Sequence, residues 1–347
     1  AYVGMPALMF GRTPGVGWSI TNNICSLRDL YQETTSDEHP DCYLFDSQWL
    51  KSTRRTEVIS VKGQGNHVET VTLSHNGPIV DSILPPAARH TGPVSIRWVG
   101  MSGGGWLTSL LQMNRANTVA ELHEAMRPWH VPTFCVVSGD SNGNIGLKAT
   151  GKIPRRNSYH RSYRDGSAPQ HQWQGYIPFD EMPELINPEC NWIRTANNRT
   201  AANDYPHMLS GCWSSGHRAQ RIREMLESHQ GEFALDDFVQ MQNDVISGRA
   251  QECTPKLLNA LSSESDPEIL RALSFLQGWN GSIDVDSIAA TIFNVFFTLW
   301  QMRVAREHIP EEQLELVGNA AGGVASRLID EDDAGWFQNG DRERAVS

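Results

Sequence analysis

Apolar and polar residues alternate along the first part of the chain in the pattern that predicts β-strands. β-Branched and aromatic residues concentrate in these runs, and residues 140–143 read Asp-Ser-Asn-Gly, a favourable hairpin turn. The predicted strands cover residues 58–61, 68–73, 95–99, 134–138 and 144–150. A short helix is predicted at 106–111, directly after the third of them.

The spacing of apolar residues changes to a helical period after residue 216. The predicted helices include residues 221–226, 269–273, 286–307 and 311–328. Residues 151–199 are rich in Pro, Gly, Asn, Tyr and Trp, which is typical of long ordered loops. The chain is therefore expected to be mostly β over 1–150, loop-rich over 151–215 and mostly α over 216–347. This order of elements predicts an α+β layout.

Composition excludes several classes of function. The chain has 347 residues, 39% of them hydrophobic, and a formal net charge of −11. An acidic surface repels phosphate, so neither nucleic acid nor an anionic membrane surface is expected as a partner. The six cysteines lack the spacing of a zinc site. The longest apolar run, residues 288–300, is too short for a membrane span.

Two short motifs suggest nucleophilic or basic groups. Gly100-Met101-Ser102-Gly103-Gly104 matches the G-x-S-x-G turn that exposes a serine between a strand and a helix. The chain lacks the repeated β-α alternation that such esterases need, so the motif also fits an ordinary glycine-rich strand exit. His75 stands alone at a strand end, where a hydrogen-bonded loop histidine is the simpler interpretation.

The segment Thr195-Ala196-Asn197-Asn198-Arg199 lies in the loop-rich part. Adjacent asparagines form helices and strands poorly, and a side-chain amide carries donors that can face a developing negative charge. An asparagine-rich turn without catalytic function remains the alternative interpretation.

The order of motifs along the chain resembles the penicillin amidase family of N-terminal nucleophile (Ntn) hydrolases. The strongest part is Gly17-Trp18-Ser19-Ile20-Thr21-Asn22 followed by Asp29-Leu30-Tyr31-x-Glu33. The similarity continues through His75-Asn76-Gly77-Pro78, Ile96-Arg97-Trp98, Gly143-Asn144-Ile145-Gly146, Ile153-Pro154-x-Arg156, Thr195-Ala196-Asn197-Asn198-Arg199, Asp204-Tyr205-Pro206, Arg218-Ala219-x-Arg221-Ile222, Met241-Gln242-x-Asp244 and Gly278-Trp279-Asn280-Gly281.

This resemblance implies one penicillin amidase-type domain over 1–347, part of a four-layer αββα sandwich with an added helical region. Family members hydrolyse linear amides of N-acyl compounds, such as β-lactam antibiotics and acyl-homoserine lactones. An N-terminal serine attacks the carbonyl with its own α-amino group as base. By resemblance, the backbone N–H of Asn22 and the side-chain amide of Asn197 stabilise the oxyanion. Arg221 matches the family arginine that orders the site, with Arg218 as the alternative match.

The resemblance also implies a structural calcium ion, with Asp29 and the carbonyl of Arg28 as ligands. Ser26 stands where a family member has a carboxylate, so the set of oxygen ligands is short. No organic cofactor is expected.

The resemblance places Ala1 inside the larger of two chains cut from one precursor, after the catalytic serine. The expected partner is the smaller α chain, and export to the periplasm or outside the cell is implied. Two alternatives stay open. The protein is a binding relative that has lost its nucleophile, or it is a serine esterase that uses Ser102.

Overall fold

The computed structural model describes residues 3–89, 92–159, 162–332, 335–337 and 346. The chain divides into two compact units, Ala1–Ser214 and Ser215–Ser347. This boundary coincides with the predicted change from loop-rich to helical sequence. Whether the two units act as one domain, as the resemblance implies, stays a prediction.

The described part of the first unit combines strands, two α-helices and long loops. Its strands are β1 Gly11–Arg12, β2 Val16–Asn22, β3 Arg28–Gln32, β4 Cys42–Phe45, β5 Gln48–Lys51, β6 Thr53–Ile59, β7 His67–Ser74, β8 Gly77–Pro78, β9 Val94–Trp98, β10 Phe134–Asp140, β11 Ile145–Thr150, β12 Arg164–Asp165 and β13 Glu184–Ile186. Its helices are α1 Trp106–Met113 and α2 Val119–Ala125.

The main sheet has the strand order β1-β2-β10-β11-β13, and all of its pairs are antiparallel. Strand β10 lies between β2 and β11, with Phe134 opposite both Asn22 and Thr150. Smaller sheets join β12-β3-β9, β4-β5 and β6-β7-β8. The predicted hairpin at residues 134–150 is confirmed as β10 and β11.

One face of the main sheet is covered by α1 and α2. Val16 and Trp18 of β2 and Val136 of β10 pack against Leu110 and Leu122 of these helices. Because side chains alternate along a strand, the same parity brings all three strand residues to this face. This buried layer fixes which face β2 presents to the loops.

Within the described residues of the first unit, loop-rich segments pack on the opposite face. A second cluster joins Cys25 and Ala149 to Ile153, Ile177 and Leu209, and all five side chains are buried. The segment that sequence composition assigns to loops therefore forms the second cover of the sheet. It lies on the side toward which Thr21 and Cys135 point.

The second unit is helical. Its helices are α3 His217–Ser228, α4 Leu235–Gln242, α5 Gly248–Ala260, α6 Pro267–Leu276, α7 Ile288–Arg306, α8 Glu311–Val317 and α9 Gly322–Arg327. Phe293, Phe297 and Trp300 of α7 are buried against Leu257 of α5 and Leu276 of α6. The long helix predicted at 286–307 is confirmed as α7.

Helix α7 is long and apolar enough to cross a membrane. Of its most apolar 18 residues, 39% are buried inside the structure. The apolar run of residues 288–300 continues into a helix of 19 residues, so the predicted exclusion by length was wrong. Its buried aromatic residues belong to the core of the second unit. A core helix of this kind passes the same test as a spanning one, so the match is weak evidence for a membrane span.

The single helix predicted over 311–328 was wrong, because the segment is broken. Helix α8 ends at Val317, a 3-10 turn covers Gly318–Ala321, and α9 begins at Gly322. A side chain at Gly322 would lie 2.8 Å from Oε1 of Gln301. Glycine at this position permits close approach to α7, and glycine is also a poor helix former.

The hairpin β6–β7 confirms the strand predicted at 68–73, whereas the strand predicted at 58–61 begins earlier, at Thr53, and ends at Ile59. Its side chains are mainly exposed, however, including those of Val58, Ile59 and Val68. Alternation in the sequence therefore reports the strand conformation here and not a buried face.

Candidate active site

The last residue of β2 turns its backbone toward an open edge of the main sheet. Asn23 N donates to the carbonyl of Thr133 at 3.2 Å, so Asn23 and Thr133 form a hydrogen-bonded pair. In an antiparallel ladder such pairs alternate with pairs that exchange no hydrogen bond. Asn22, which lies opposite Phe134, therefore directs both its N–H and its C=O away from β10. Strand β1 pairs only with Gly17 and Trp18 and does not extend to this point.

Asn197 approaches the same edge from the loop-rich segment. Its side-chain Nδ2 donates to the Asn22 carbonyl at 2.9 Å and to Thr21 Oγ1 at 3.1 Å. The backbone of Asn197 has φ +60°, a left-handed conformation that asparagine tolerates better than most residues. Its carbonyl accepts a hydrogen bond from Ser214 N at 3.0 Å. The structure thus brings together two predicted site residues that are 175 positions apart.

Two buried thiols lie beside this edge. Burial raises the pKa of Cys25 to about 12, although Arg156 and Asn23 oppose the shift. Burial likewise raises the pKa of Cys135 to about 12 against the hydroxyl contacts of Thr195 and Thr200. A thiol must lose its proton to become a strong nucleophile. Both thiols therefore stay protonated near pH 7 and fill the loop side of the sheet.

Arg221 lies on α3 in the helical unit. Its guanidinium makes a bidentate pair with Asp244, with Nε and one terminal nitrogen 2.9 and 2.7 Å from the two carboxylate oxygens. Hydrogen bonding to Asp244 raises the pKa of Arg221, and the same bond lowers the pKa of Asp244. Within its unit, Arg221 ties α3 to the segment between α4 and α5. Its predicted role in ordering the site stays a prediction.

The predicted calcium ligands are engaged by protein donors. Oδ2 of Asp29 accepts from Nε of Arg156 at 2.7 Å and from Nε1 of Trp173 at 2.6 Å. Nε of Arg164 lies 3.2 Å from the same oxygen as an ion-pair contact. The side chains of Arg156 and Arg164 are 1% and 2% exposed, so two buried cations surround one carboxylate.

The neighbouring carbonyl oxygens are engaged as well. The Arg28 carbonyl accepts from Ser26 Oγ at 2.8 Å, and the Ser26 carbonyl accepts from Arg156 at 3.0 Å. Calcium requires about six to eight oxygen ligands, more than the Asp29 carboxylate and these two carbonyls supply. Within the described part of the chain, no group of three or more His, Cys, Asp or Glu residues could hold a metal ion. With these oxygens engaged by protein donors, the donor set at Arg28 and Asp29 does not fit calcium.

The structure gives no support to the two short motifs as catalytic groups. Ser102 Oγ donates to the Val99 carbonyl at 2.9 Å, so its hydrogen is directed into its own turn. His75 stacks on Tyr43 with ring centroids 5.4 Å apart, and its ring is tilted by 49° against Phe45 at 4.1 Å. Burial lowers the pKa of His75, against the opposing charge of Glu33. The packing explains this histidine without a role as a base.

A cavity of about 670 Å³ lies on the helix-covered side of the main sheet, away from Asn197. Its wall includes His123 of α2, Lys148 of β11 and Glu184 of β13. His123 Nδ1 lies 2.9 Å from Glu184, and His123 Nε2 lies 3.3 Å from Ser138 Oγ. This order of groups resembles a catalytic triad, but Ser138 is 4% exposed and is not part of the cavity wall. The relay links α2 to the sheet.

Comparison with known structures defines the class of fold. The thermostable penicillin G acylase from Alcaligenes faecalis, in its orthorhombic form, superposes with a TM-score of 0.74 at 20% identity. The match covers 92% of this chain and 58% of that chain. The chain therefore has the Ntn-hydrolase fold of that enzyme, and the predicted α+β class is confirmed.

The chain belongs to the penicillin amidase family, whose model matches residues 1–346. The penicillin acylase 2 proenzyme of Pseudomonas sp. (strain SE83) is 27% identical over 350 residues, which cover 97% of this chain and 44% of that protein. Acyl-homoserine lactone acylase QuiP of Pseudomonas syringae pv. syringae (strain B728a) is 24% identical over 362 residues, 97% of this chain and 43% of that protein. The chain thus spans less than half the length of these curated relatives.

Sequence reasoning did not assign a role to Asn23, Thr133 or Thr200, which lie directly beside the pair formed by Asn22 and Asn197. Nothing in the doublet Asn22-Asn23 shows that the first side chain is exposed and the second is 2% exposed. Strand parity across the whole sheet decides this difference, and parity follows from the burial of Val16 and Trp18.

Proposed function

We propose that the protein containing this chain is an amidohydrolase that cleaves the linear amide of N-acyl compounds. The observation that carries the proposal is the approach of the Asn197 amide to the outward-facing backbone of Asn22. The acylase names of the relatives support the same class of reaction. Substrates of the proposed class carry an acyl group on nitrogen, as in β-lactam antibiotics and acyl-homoserine lactones.

In the proposed reaction, an N-terminal serine from a segment outside residues 1–347 attacks the amide carbon. Its hydroxyl proton passes through its α-amino group to the leaving amine, and the acyl group stays on the serine oxygen as an ester. Water then attacks the ester and releases the acid and the free serine. The carbonyl oxygen becomes negative in both tetrahedral intermediates, where the N–H of Asn22 and Nδ2 of Asn197 donate to it.

The amide of Asn197 carries two hydrogens, and its geometry determines how it donates. One hydrogen points at the Asn22 carbonyl and the other at Thr21 Oγ1, which is the longer of the two contacts. Both hydrogens are fixed in the amide plane, so in the proposed step the hydrogen that faces Thr21 is shared between Thr21 Oγ1 and the oxyanion, while the bond to Asn22 keeps the amide in place. A preorganised donor needs little rearrangement as charge develops.

The finer expectations from the resemblance belong to the same proposal. The smaller α chain, cut from the same precursor by self-cleavage, completes the enzyme and contributes to the acyl pocket. The mature enzyme is exported to the periplasm or outside the cell. A binding relative without the nucleophile is the competing function, and the residue at the cleavage junction distinguishes the two.

The test replaces Asn197 by alanine in the full-length protein and measures hydrolysis of phenylacetyl and long-chain acyl amides. Loss of one oxyanion donor is expected to lower kcat by about 10²–10³-fold with little change in KM. Asn191→Ala is a matched control, because Asn191 also has a left-handed backbone, φ +57°, in the same segment. Asn22→Ala should retain most of kcat, since Asn22 acts through its backbone.

An unchanged kcat in Asn197→Ala would remove this residue from the mechanism. An equal loss in Asn191→Ala would show that backbone strain in the loop causes the effect. A wild-type protein that binds acyl amides but does not hydrolyse them, with no serine at its junction, would favour the binding relative.

A further inference from the structure

Asn23 connects the end of β2 to two different parts of the first unit. Its Nδ2 donates to Thr133 Oγ1 at 3.0 Å. Its Oδ1 accepts from Thr200 Oγ1 at 3.3 Å and from the thiol of Cys25 at 3.4 Å. The side chain is 2% exposed, so its polar atoms depend on these partners for hydrogen bonds.

The Thr133 side of this network is anchored in the sheet. Thr133 Oγ1 donates to the Thr150 carbonyl at 2.5 Å, and the Thr133 carbonyl accepts from Asn23 N at 3.2 Å. Gly151 has φ +97°, and a side chain there would lie 3.0 Å from Thr133 Cα. Glycine at 151 therefore leaves room for Thr133 to sit against the end of β11. Asn23, Thr133 and Thr150 bind the ends of β2, β10 and β11 together.

The Thr200 side belongs to the loop that carries Asn197. Thr200 follows Asn197 by three positions, and the loop returns beside β2 where Ser26 N donates to the Ser210 carbonyl at 2.7 Å. Gly211 pairs with Cys25, and a side chain at Gly211 would lie 2.2 Å from the Ile24 carbonyl. The loop is thus held closely along residues 23–26, and Thr200 is its side-chain contact with Asn23.

We propose that Asn23 is a positioning residue that sets the distance between the backbone of Asn22 and the amide of Asn197. The inference rests on the proposed function, because its purpose is to align two oxyanion donors. Asn22 and Asn23 have different roles because neighbouring residues of a strand direct their side chains to opposite faces of the sheet. Asn22 directs its backbone to the reacting oxygen, while Asn23 directs its side chain to the loop that supplies the second donor.

The test removes the hydrogen bond between Thr200 and Asn23 by changing Thr200 in the loop, because a change there is less expected to unfold the sheet than a change at Asn23. Thr200→Val removes the hydroxyl that donates to Asn23 and keeps the volume of the side chain. We expect kcat of the full-length enzyme to fall about tenfold with KM within about twofold, because a donor displaced by a fraction of an ångström loses part of its effect. Thr200→Ser keeps the hydroxyl and should restore kcat. Thr56→Val is the matched control, since the hydroxyl of Thr56 faces Thr70 on an exposed hairpin.

A double-mutant cycle that combines Thr200→Val with Asn23→Ala measures the interaction between Thr200 and Asn23 directly. The two losses in kcat should be strongly non-additive, because either change breaks the same contact. Faster amide hydrogen exchange over residues 195–200 in Thr200→Val reports the loosened loop. Wild-type kcat in Thr200→Val, or a Thr200→Ser variant as slow as Thr200→Val, would overturn the inference.

Failure of the inference and failure of the proposed function remain distinguishable. If the wild-type protein hydrolyses no acyl amide, the proposed function fails. In that case, hydrogen exchange over residues 195–200 still tests whether the bond between Thr200 and Asn23 holds the loop. Unchanged exchange in Thr200→Val would contradict this role of the bond.

Discussion

The cluster around Asp29 predicts a stability that depends on an internal ion pair and not on calcium. The perturbation is Asp29→Asn, which keeps the shape of the side chain and removes its charge. Arg156 and Arg164 then lose the carboxylate that both of them contact, although both guanidinium groups are almost completely buried. Trp173 also loses a charged acceptor for its ring N–H.

The size of the effect follows from burial. Asp29 is 13% exposed and its two partners are at most 2% exposed, so solvent screens the pair poorly. Removing one member of a buried pair costs about 3–5 kcal/mol, since the remaining charge is left uncompensated. For a unit of this size each kcal/mol lowers Tm by about 2–4 °C. The expected loss in Tm is on the order of 10 °C.

The assay is thermal unfolding of the full-length protein, followed by circular dichroism with calcium or with EGTA. Asp41→Asn is the control, because Asp41 pairs with Arg54 on the surface, where the side chains are 53% and 62% exposed. Such exposed pairs contribute about 0–1 kcal/mol. A bound ion present at a thousand times its Kd would add about 4 kcal/mol to stability. The wild-type Tm should nevertheless be the same in calcium and in EGTA.

Two results would refute this reasoning. A wild-type Tm that rises by several degrees with calcium would show that oxygen ligands exist beyond those engaged by Arg156 and Ser26. A Tm for Asp29→Asn no lower than that of Asp41→Asn would show that the guanidinium pair does not depend on Asp29.

Two further predictions concern other buried or paired groups. Burial lowers the pKa of His123 despite its bond to Glu184, so the unfolded chain takes up a proton before the folded one, and stability should fall as pH drops below about 6.5. His123→Gln should flatten that dependence in urea titrations between pH 5 and 8, and an unchanged slope would contradict the assignment. Arg221→Lys keeps the charge but cannot reproduce the bidentate contact with Asp244. If Arg221 orders the site, kcat for acyl amide hydrolysis should fall about tenfold in this variant. A wild-type kcat would show that the pair of Arg221 and Asp244 has a structural role only.

Local patterns predicted the regular elements, and the order of motifs predicted which distant residues to compare. The hairpin β10–β11 was visible because an Asp-Ser-Asn-Gly turn separates two apolar runs. The approach of Asn197 to Asn22 was anticipated only through resemblance, since no local property of either segment specifies the other. Helix α5 was not predicted, because Pro255 interrupts its pattern in the sequence while the packing of Cys253 and Leu257 holds the helix in the fold.

The neighbourhood of Asp29 could not be predicted from its own segment. Arg156 is 127 positions away from it, and Trp173 is 144 positions away. The sequence near Asp29 offers oxygen atoms that suit a cation, and the fold supplies that cation as guanidinium groups. Whether a carboxylate binds a metal or an arginine depends on which chain segments the loops bring to it. The tertiary structure determines this, and the local sequence does not.

Strand parity explains why neighbouring asparagines take unlike positions at the end of β2. A residue in a strand directs its N–H and C=O into the plane of the sheet and its side chain out of that plane. Asn22 therefore offers an open backbone edge, and its exposed side chain is free to vary. Asn23 has its backbone engaged by Thr133, and its buried amide reaches both the sheet and the loop. A shift of β2 by one residue would exchange these positions and leave Asn197 without an aligned partner. The buried residues Val16 and Trp18 therefore influence the site by fixing the register of β2.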